Sequence, residues 1–284
     1  MKLLVIIPVY NEAEFLLSCL ESFENQTYDK ITWVIVNDAS TDKSPEIIQN
    51  FIKDKPNFQY LSLNHRSEHS PGAKVVRTFY SGLNTVDYSQ YDAIAKLDAD
   101  IILPPDYYKI MINTLKANSR VGMVGGLVYT KQNGVWAHEG VANKNHIRGA
   151  IKTYRRQCFE DIGGLRETLG WDNLDVLLSH MKGWEVRVIK DIWVKLLKPT
   201  AHVYKDTKAE KLGKYYYNIG LDYGLAFISS AKAAWIDKSV KNFFISYRTY
   251  VKMSVKKTKR EITPEEIKFI RKFRWYETLQ KIGL

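Results

Sequence analysis

The sequence predicts an α/β fold with a mostly parallel central sheet flanked by helices, followed by a helical and basic C-terminal extension. Two observations support this prediction. Short apolar runs alternate with amphipathic helical segments up to about residue 197, which indicates βαβ units. Beyond residue 204 the pattern becomes helical, and that stretch contains nearly all of the net positive charge.

The apolar runs predict the strands. Leu3–Val9 is a continuous and β-branched run, as expected for a strand that is covered on both faces. Later runs of the same kind predict strands at 31–36, 58–63, 93–97, 121–129, 186–189 and 193–197.

Helices are predicted where apolar residues recur at steps of three and four. Asn11 precedes Glu14 by three residues in a cap-like start, and Pro45 stands at the first position of the next helix. Further helices are predicted near 72–86, 108–115 and 155–161 and after Asp172. Residues 130–150 are rich in Gly, Asn and His and are predicted to form a loop.

Charge divides the chain into two predicted domains, 1–204 and 205–284. The 284 residues include 42 Lys and Arg and 31 Asp and Glu, a net charge of +11. Residues 205–284 contain 18 basic and 8 acidic residues, so +10 of this charge lies there. Because no nucleic-acid-binding motif accompanies the charge, a nucleic-acid partner is disfavoured.

The sequence also predicts a compartment. Cys19 and Cys158 are far apart and show no metal-ligand spacing, so we expect two buried thiols and no disulfide framework. Glu12 and Glu14 follow the first apolar run too soon for a secretory signal, and no apolar stretch approaches the roughly 18 residues of a membrane span. The expectation is a cytoplasmic protein, peripheral on the inner face of the membrane if its basic helices bind there.

The C-terminal extension contains an amphipathic stripe. Apolar residues recur at helical steps at Val240, Phe243, Phe244, Tyr247, Val251 and Val255. Lys241, Arg248, Lys252 and Lys256 occupy the other faces. A basic amphipathic helix suits an anionic membrane surface. The alternative is a helix packed on the body with its basic face in solvent.

Three polar clusters each follow a predicted strand: Tyr10-Asn11-Glu12, Asn37-Asp38 and Asp98-Ala99-Asp100. Ligands of parallel sheets bind beyond the carboxyl ends of the strands. Two carboxylates spaced as in Asp98-Ala99-Asp100 can share Mn²⁺ or Mg²⁺ with a phosphate group. The alternative for this motif is a solvated turn. Asp38 can accept hydrogen bonds from a ribose or a base, whereas Asp42 can cap the following helix.

Three motifs resemble the family 2 inverting glycosyltransferases of the GT-A, Rossmann-like fold. They are IIPVYNE at 6–12, VNDASTD at 36–42 and LDAD at 97–100, and the resemblance covers about residues 3–204. Residues 72–78 match the spacing of the family's glycine-to-Ala-Arg-Asn stretch, but Val76 and Thr78 replace its alanine and asparagine.

The resemblance implies a nucleotide-sugar-binding half, 1–103, and an acceptor-binding half, 104–204. The donor would be held by Pro8, Val9, Tyr10, Glu12, Asp38, Arg77, Asp98 and Ala99. Mn²⁺ or Mg²⁺ would be held by Asp100, Asp98 and His202. Lys74 and Lys96 either contact phosphate or are ordinary exposed lysines.

The resemblance also implies a general base near residue 172. Asp172 matches the family's aspartate, while Trp171 replaces an acidic neighbour and Asp175 is a second candidate base. Asp172 could instead cap a helix, and Trp171 either stacks on a sugar on the acceptor side or packs in the core.

The implied activity is transfer from a UDP-sugar to a hydroxyl of a glycan or a lipid-linked saccharide. A sugar nucleotidyltransferase would need a glycine-rich basic phosphate loop, which residues 9–12 do not provide. A non-catalytic membrane-surface or scaffold protein is the other alternative.

Overall fold

The computed structural model describes residues 1–64, 72–140, 144–198 and 208–281. These residues form two compact units. The first unit takes in 1–64, 74–140, 144–165 and 182–198, and the second takes in 72–73, 166–181 and 208–281. The helix that contains Asp172 thus groups with the C-terminal helices.

A mixed sheet forms the centre of the first unit. Within the described residues it has nine strands in the order β3-β2-β1-β4-β8-β6-β9-β5, with β7 paired to β6. The strands are β1 (Leu3–Val9), β2 (Ile31–Asn37), β3 (Phe58–Ser62), β4 (Ala93–Leu97), β5 (Ile101–Ile102), β6 (Val121–Gln132), β7 (Val135–His138), β8 (Ile151–Arg155) and β9 (Glu185–Leu196).

Helices flank this sheet. They are α1 (Leu16–Glu24), α2 (Ser44–Ile52), α3 (Ala73–Leu83), α4 (Tyr107–Ala117) and α5 (Arg156–Asp161). The ring of Trp33 on β2 stacks between Phe23 of α1 and Phe58 of β3, with centroid distances of 5.3 and 5.6 Å. Burial of such apolar side chains is the main stabilising contribution to a sheet covered by helices.

The first four strands pair in parallel, as the alternation of apolar runs and helices predicts. β1 pairs with β2 in register Leu3↔Ile31 and with β4 in register Leu3↔Ala93, so their carboxyl ends share one edge of the sheet. Beyond β4 the sheet becomes mixed, because β8 runs antiparallel to both β4 and β6. The predicted α/β class is confirmed.

Two predictions in the second half of the sheet were wrong. The segment predicted as a loop, 130–150, contains β7, and β8 begins directly after it. The two strands predicted at 186–189 and 193–197 are one strand, β9, which pairs with β6 through two register shifts. Lys190 and Asp191, which lie at the second of these shifts, made one irregular strand resemble two.

The second unit is helical in its described part. Its helices are α6 (Trp171–Met181), α7 (Lys208–Asn218), α8 (Tyr223–Ile236), α9 (Val240–Val255) and α10 (Pro264–Lys281). An ion pair between Arg166 and Glu266, 2.9 Å apart, ties the segment before α6 to α10. Among the described residues, no helix is both long and apolar enough to cross a membrane.

Candidate active site

The carboxyl ends of β1, β2 and β4 bring the three predicted polar clusters to one edge of the sheet. These strands are neighbours in the order β2-β1-β4. The backbone N–H of Asp38 donates to the carbonyl of Val9 over 2.8 Å, which extends the β1–β2 pairing into the loops. Pro8 and Val9 are the last residues of β1. Tyr10 and Glu12 come just after β1, and Asp38 comes directly after β2.

Side-chain hydrogen bonds join the loop after β1 to the loop after β2. Asn11 adopts a φ of +52°, which asparagine tolerates better than most residues, and its N–H donates to Ser40 Oγ over 3.0 Å. Asp42 accepts from the N–H groups of Ala13 and Ser44. Although burial acts to raise the pKa of Asp42, these hydrogen bonds hold it below its ordinary value. Asp42 therefore has a structural role, as the capping interpretation expects.

Asp38 is a buried carboxylate with one satisfied oxygen. It is 3% exposed, and its Oδ2 lies 2.6 Å from Lys74 Nζ. Its Oδ1 is buried and has no hydrogen-bond partner within the described part of the chain. The Lys74 ammonium also lies 4.2 Å from the centre of the Tyr10 ring. A buried acceptor without a donor is costly, so Asp38 is ready to accept a donor from a ligand.

Asp98 and Asp100 lie on either side of Ala99, just after β4. Lys96 is 3% exposed and forms an ion pair with Asp98 Oδ1. Burial, and then the negative charges of Asp98 and Glu12, raise the pKa of Asp100 to about 7. Ala99 is buried, whereas Asp98 and Asp100 on either side of it are half-buried.

Glu12 completes this group of carboxylates. Burial raises its pKa, and Lys198 opposes that effect because its Nζ lies 3.2 Å from Glu12 Oε1. Glu12 Oε2 is buried without a hydrogen-bond partner among the described residues. Mutual repulsion between Asp98, Asp100 and Glu12 is what a bound cation would relieve.

The oxygen donors present fit Mn²⁺ or Mg²⁺. Among the described residues there is no group of three or more His, Cys, Asp or Glu side chains arranged to hold a metal ion. Mg²⁺ that is bound with a nucleotide commonly uses one or two carboxylates and completes its shell with water and phosphate oxygens. Asp98 and Asp100 supply such a pair. The third predicted ligand, His202, lies outside the described residues.

The candidate base and its neighbours lie together at the start of α6, in the second unit. Asp172 is half-buried in the first turn, whereas Asp175 is 2% exposed and accepts from the N–H of Val176 over 2.7 Å. Trp171 is 6% exposed, so its ring packs inside this unit. Burial raises the pKa of Tyr215 to about 12, and the negative charge of Asp172 adds to that rise.

Two features of the strand-end site were not predicted from the sequence. Lys74 and Lys96 are neither exposed nor free for phosphate, since each is paired with a carboxylate of the site. Lys198 was not singled out, and no local pattern marks it because it meets Glu12 from 186 residues away. Arg77 lies on α3 one turn beyond Lys74 and is half-buried.

Proteins of similar sequence include a putative glycosyltransferase and a polysaccharide synthase. The putative glycosyltransferase EpsH of Bacillus subtilis is 34% identical over 110 residues, 39% of this chain and 29% of EpsH. The poly-beta-1,6-N-acetyl-D-glucosamine synthase of Staphylococcus epidermidis is 28% identical over 149 residues, 52% of this chain and 31% of the synthase. The chain thus matches about a third or less of the length of either relative.

Solved structures show the same fold. TarS 1-349 of S. aureus in complex with UDP-GlcNAc gives a TM-score of 0.58 at 17% identity, over 75% of this chain and 65% of TarS. The mannosyltransferase PcManGT from Pyrobaculum calidifontis, in complex with GDP-Man and Mn²⁺, gives 0.56 at 18% identity, over 95% of this chain and 72% of PcManGT. At these identities the likeness establishes the GT-A fold, as the motifs predict.

The family model of glycosyl transferase family 2 matches residues 4–165, more than half of the chain. The matched region contains all three strand-end motifs and the carboxylates that they bring together. The resemblance found in the motifs is therefore confirmed, and the chain belongs to glycosyl transferase family 2 and is a glycosyltransferase.

Proposed function

We propose that this enzyme transfers a sugar from a UDP-sugar to a hydroxyl of a glycan or a lipid-linked saccharide, with inversion at the anomeric carbon. The observation that supports this most strongly is the edge formed by β1, β2 and β4. There, Asp38 offers an unsatisfied oxygen at the same edge of the sheet as the Asp98 and Asp100 carboxylates. A nucleoside diphosphate needs both features, one for its nucleoside and one for its phosphates.

The nucleoside end of the donor would bind at Asp38. In this proposal the Oδ1 of Asp38 accepts from a base N–H or a ribose hydroxyl, and the Tyr10 ring beside Lys74 provides an aromatic surface. Pro8, Val9 and Glu12 line the same strand end, and Arg77 follows Lys74 by one turn on α3. The solved complex of TarS 1-349 contains UDP-GlcNAc, which supports a uridine nucleotide.

The diphosphate end would lie at Asp98, Ala99 and Asp100. Asp100 and Asp98 would hold Mn²⁺ or Mg²⁺, with His202 as a further proposed ligand. When bound, the cation would stabilise the negative charge that develops on the departing nucleoside diphosphate. The complex of PcManGT with GDP-Man and Mn²⁺ supports this assignment.

Asp172 would act as the general base. In a single in-line displacement, a carboxylate takes the proton of the acceptor hydroxyl while that oxygen attacks the anomeric carbon. Asp172 is better suited than Asp175, because Asp175 is only 2% exposed whereas Asp172 is half-buried and so more accessible to an acceptor. Trp171 would support the acceptor side from inside the helical unit.

The acceptor would be attached to, or made at, the inner face of the cytoplasmic membrane. Two relatives, both of S. epidermidis, have names that refer to making a polysaccharide and a teichoic acid: the poly-beta-1,6-N-acetyl-D-glucosamine synthase and a teichoic acid poly(glycerol phosphate) polymerase. The surplus of basic residues in 205–284 supports a location beside anionic lipid.

A thermal-shift screen of nucleotide-sugars with Mn²⁺ tests the donor, because a ligand that binds only the folded state raises the melting temperature. We expect UDP-sugars to raise it and GDP-sugars to have little effect. The reaction is then followed by nuclear magnetic resonance with the UDP-sugar that binds. A product of inverted anomeric configuration supports the proposal, and a retained configuration or hydrolysis without transfer would overturn it.

A further inference from the structure

The turn between α8 and α9 exposes a group of large apolar side chains. The two helices are joined by Asp237, Lys238 and Ser239, and the Ser239 hydroxyl caps α9. We define the hairpin surface by six exposed residues: Phe227, Ile228, Trp235, Ile236, Val240 and Phe244. Trp235 is 86% exposed and Val240 73%. Tryptophan is seldom left so open to water in a folded protein.

These side chains form one continuous patch. A groove at the turn is lined by Trp235 and Val240 together with the partly buried Phe243. The Phe243 ring lies 5.2 Å from the Phe227 ring and 5.3 Å from the Phe244 ring, measured between centroids. The patch therefore runs from α8 across the turn onto α9, and contiguous apolar patches of this kind mark interaction sites.

Cations flank the patch. Residues 227–248, which span the patch, include four cations, Lys232, Lys238, Lys241 and Arg248, and a single acidic residue, Asp237. That carboxylate is already bound by Lys208 at 2.7 Å. Exposed cations stand one helical turn from the apolar residues: Lys232 lies four residues after Ile228 and before Ile236, and Lys241 and Arg248 lie on either side of Phe244.

The combination of exposed apolar side chains and neighbouring cations indicates which kind of partner the hairpin surface binds. The core of a protein–protein interface is depleted in lysine, whereas the hairpin surface has lysines beside every apolar group. A second copy of the chain would bring the same cations face to face across a two-fold axis, which is unfavourable. A bilayer with anionic headgroups suits both the apolar side chains and the cations of this surface. Indole and phenyl rings enter the headgroup–acyl boundary, and lysine and arginine contact the phosphates.

We propose that the hairpin surface docks the enzyme onto an anionic lipid bilayer. Trp235, Ile236 and Val240 insert at the tip, and Lys238 and Lys241 contact lipid phosphate. This narrows the membrane contact to the α8–α9 turn instead of the whole length of α9. The proposal rests on the proposed location at the membrane, but binding to vesicles requires neither donor nor sugar transfer.

Flotation of the full chain with vesicles tests the proposal. The vesicles are either phosphatidylcholine alone or phosphatidylcholine mixed with phosphatidylglycerol. We expect binding to the mixed vesicles only, and a fall in affinity of about tenfold or more for the double variant W235S/V240S, since two apolar anchors are lost. The matched control is V135S, which changes an equally exposed valine (69%) on β7 of the first unit and leaves vesicle binding unchanged.

Three outcomes would overturn the proposal. They are equal flotation of W235S/V240S and the native chain, equal binding to both kinds of vesicle, and a concentration-dependent dimer by light scattering that W235S/V240S abolishes. Circular dichroism confirms that the variants are folded, which is expected because both side chains are mostly in solvent. Sugar transfer to a water-soluble acceptor is measured in parallel. If neither the native chain nor the variants transfer sugar, the proposed reaction is contradicted, but the result with vesicles is not affected.

Discussion

Replacing Asp38 by leucine separates its role in folding from its role in donor binding. In the native protein, the Asp38 carboxylate is 3% exposed and lies 2.6 Å from Lys74 Nζ, whose side chain keeps 14% exposure. D38L leaves the lysine charge buried and unpaired. We expect the free energy of unfolding to fall by about 3 kcal/mol, the lower end for a broken buried pair, because Lys74 retains some contact with water.

The double variant D38L/K74M removes both charges and should recover most of that stability, since an apolar pair of similar size replaces a buried ion pair at little cost. Donor binding should not recover. A hydrogen bond to a charged acceptor contributes about 1.5–3 kcal/mol, so UDP should bind roughly 10- to 150-fold more weakly to the double variant.

The measurements are urea denaturation and isothermal titration of UDP in the presence of Mn²⁺. D29L changes an aspartate that is exposed to solvent and serves as the control for loss of one carboxylate. If D38L/K74M is stable and binds UDP within twofold of the native chain, Asp38 serves only to hold Lys74 and the assigned nucleoside site is wrong.

Three other changes test the remaining assignments. D100A should lower Mn²⁺-dependent turnover of a UDP-sugar at least about 100-fold by removing charge stabilisation at the diphosphate. Asp106, the exposed residue just before α4, offers a control, D106A, and equal rates for the two variants would refute the metal assignment. D172N should bind UDP as the native chain does but transfer sugar about 10²- to 10⁴-fold more slowly in single-turnover measurements; an active D172N with an inactive D175N would move the base to Asp175. G213A should destabilise the helical unit by about 1–3 kcal/mol in thermal unfolding, because the new methyl group would lie 2.2 Å from the Ser246 carbonyl oxygen; an unchanged melting curve would mean that α7 and α9 separate easily at this point.

The sequence predicted the strands that are buried and uninterrupted, because a strand covered on both faces must be apolar along its whole length. Leu3–Val9 and Ala93–Leu97 have the predicted bounds. β8 was not predicted, because Lys152 and Arg155 interrupt the apolar pattern of Ile151–Arg155. In the structure, however, Lys152 is fully buried. A buried lysine depends on partners that the fold supplies, and such partners leave no periodic signal in the sequence.

The sequence predicted which carboxylates form the candidate site, but not which lysine pairs with each of them. Three carboxylate clusters after three strands were sufficient to place Asp38, Asp98 and Asp100 at one edge, since parallel strands end together. Which lysine neutralises which carboxylate was not predictable. Lys74 on α3 pairs with Asp38 in the loop after β2, and Lys198, just beyond β9, pairs with Glu12. Both pairings therefore depend on the tertiary fold.

These pairings would explain how an acidic site accommodates the anionic donor that we propose. Lys74 neutralises Asp38, Lys96 neutralises Asp98 and Lys198 neutralises Glu12. Among the described residues, Asp100 is the carboxylate of this group that has no ion-pair partner. One uncompensated negative charge beside a diphosphate calls for one divalent cation, which would bring the two together instead of letting them repel. The phosphates of the proposed donor would thus need no surplus of protein cations. The surplus lies instead in residues 205–284, where Lys232, Lys238, Lys241 and Arg248 flank the hairpin surface.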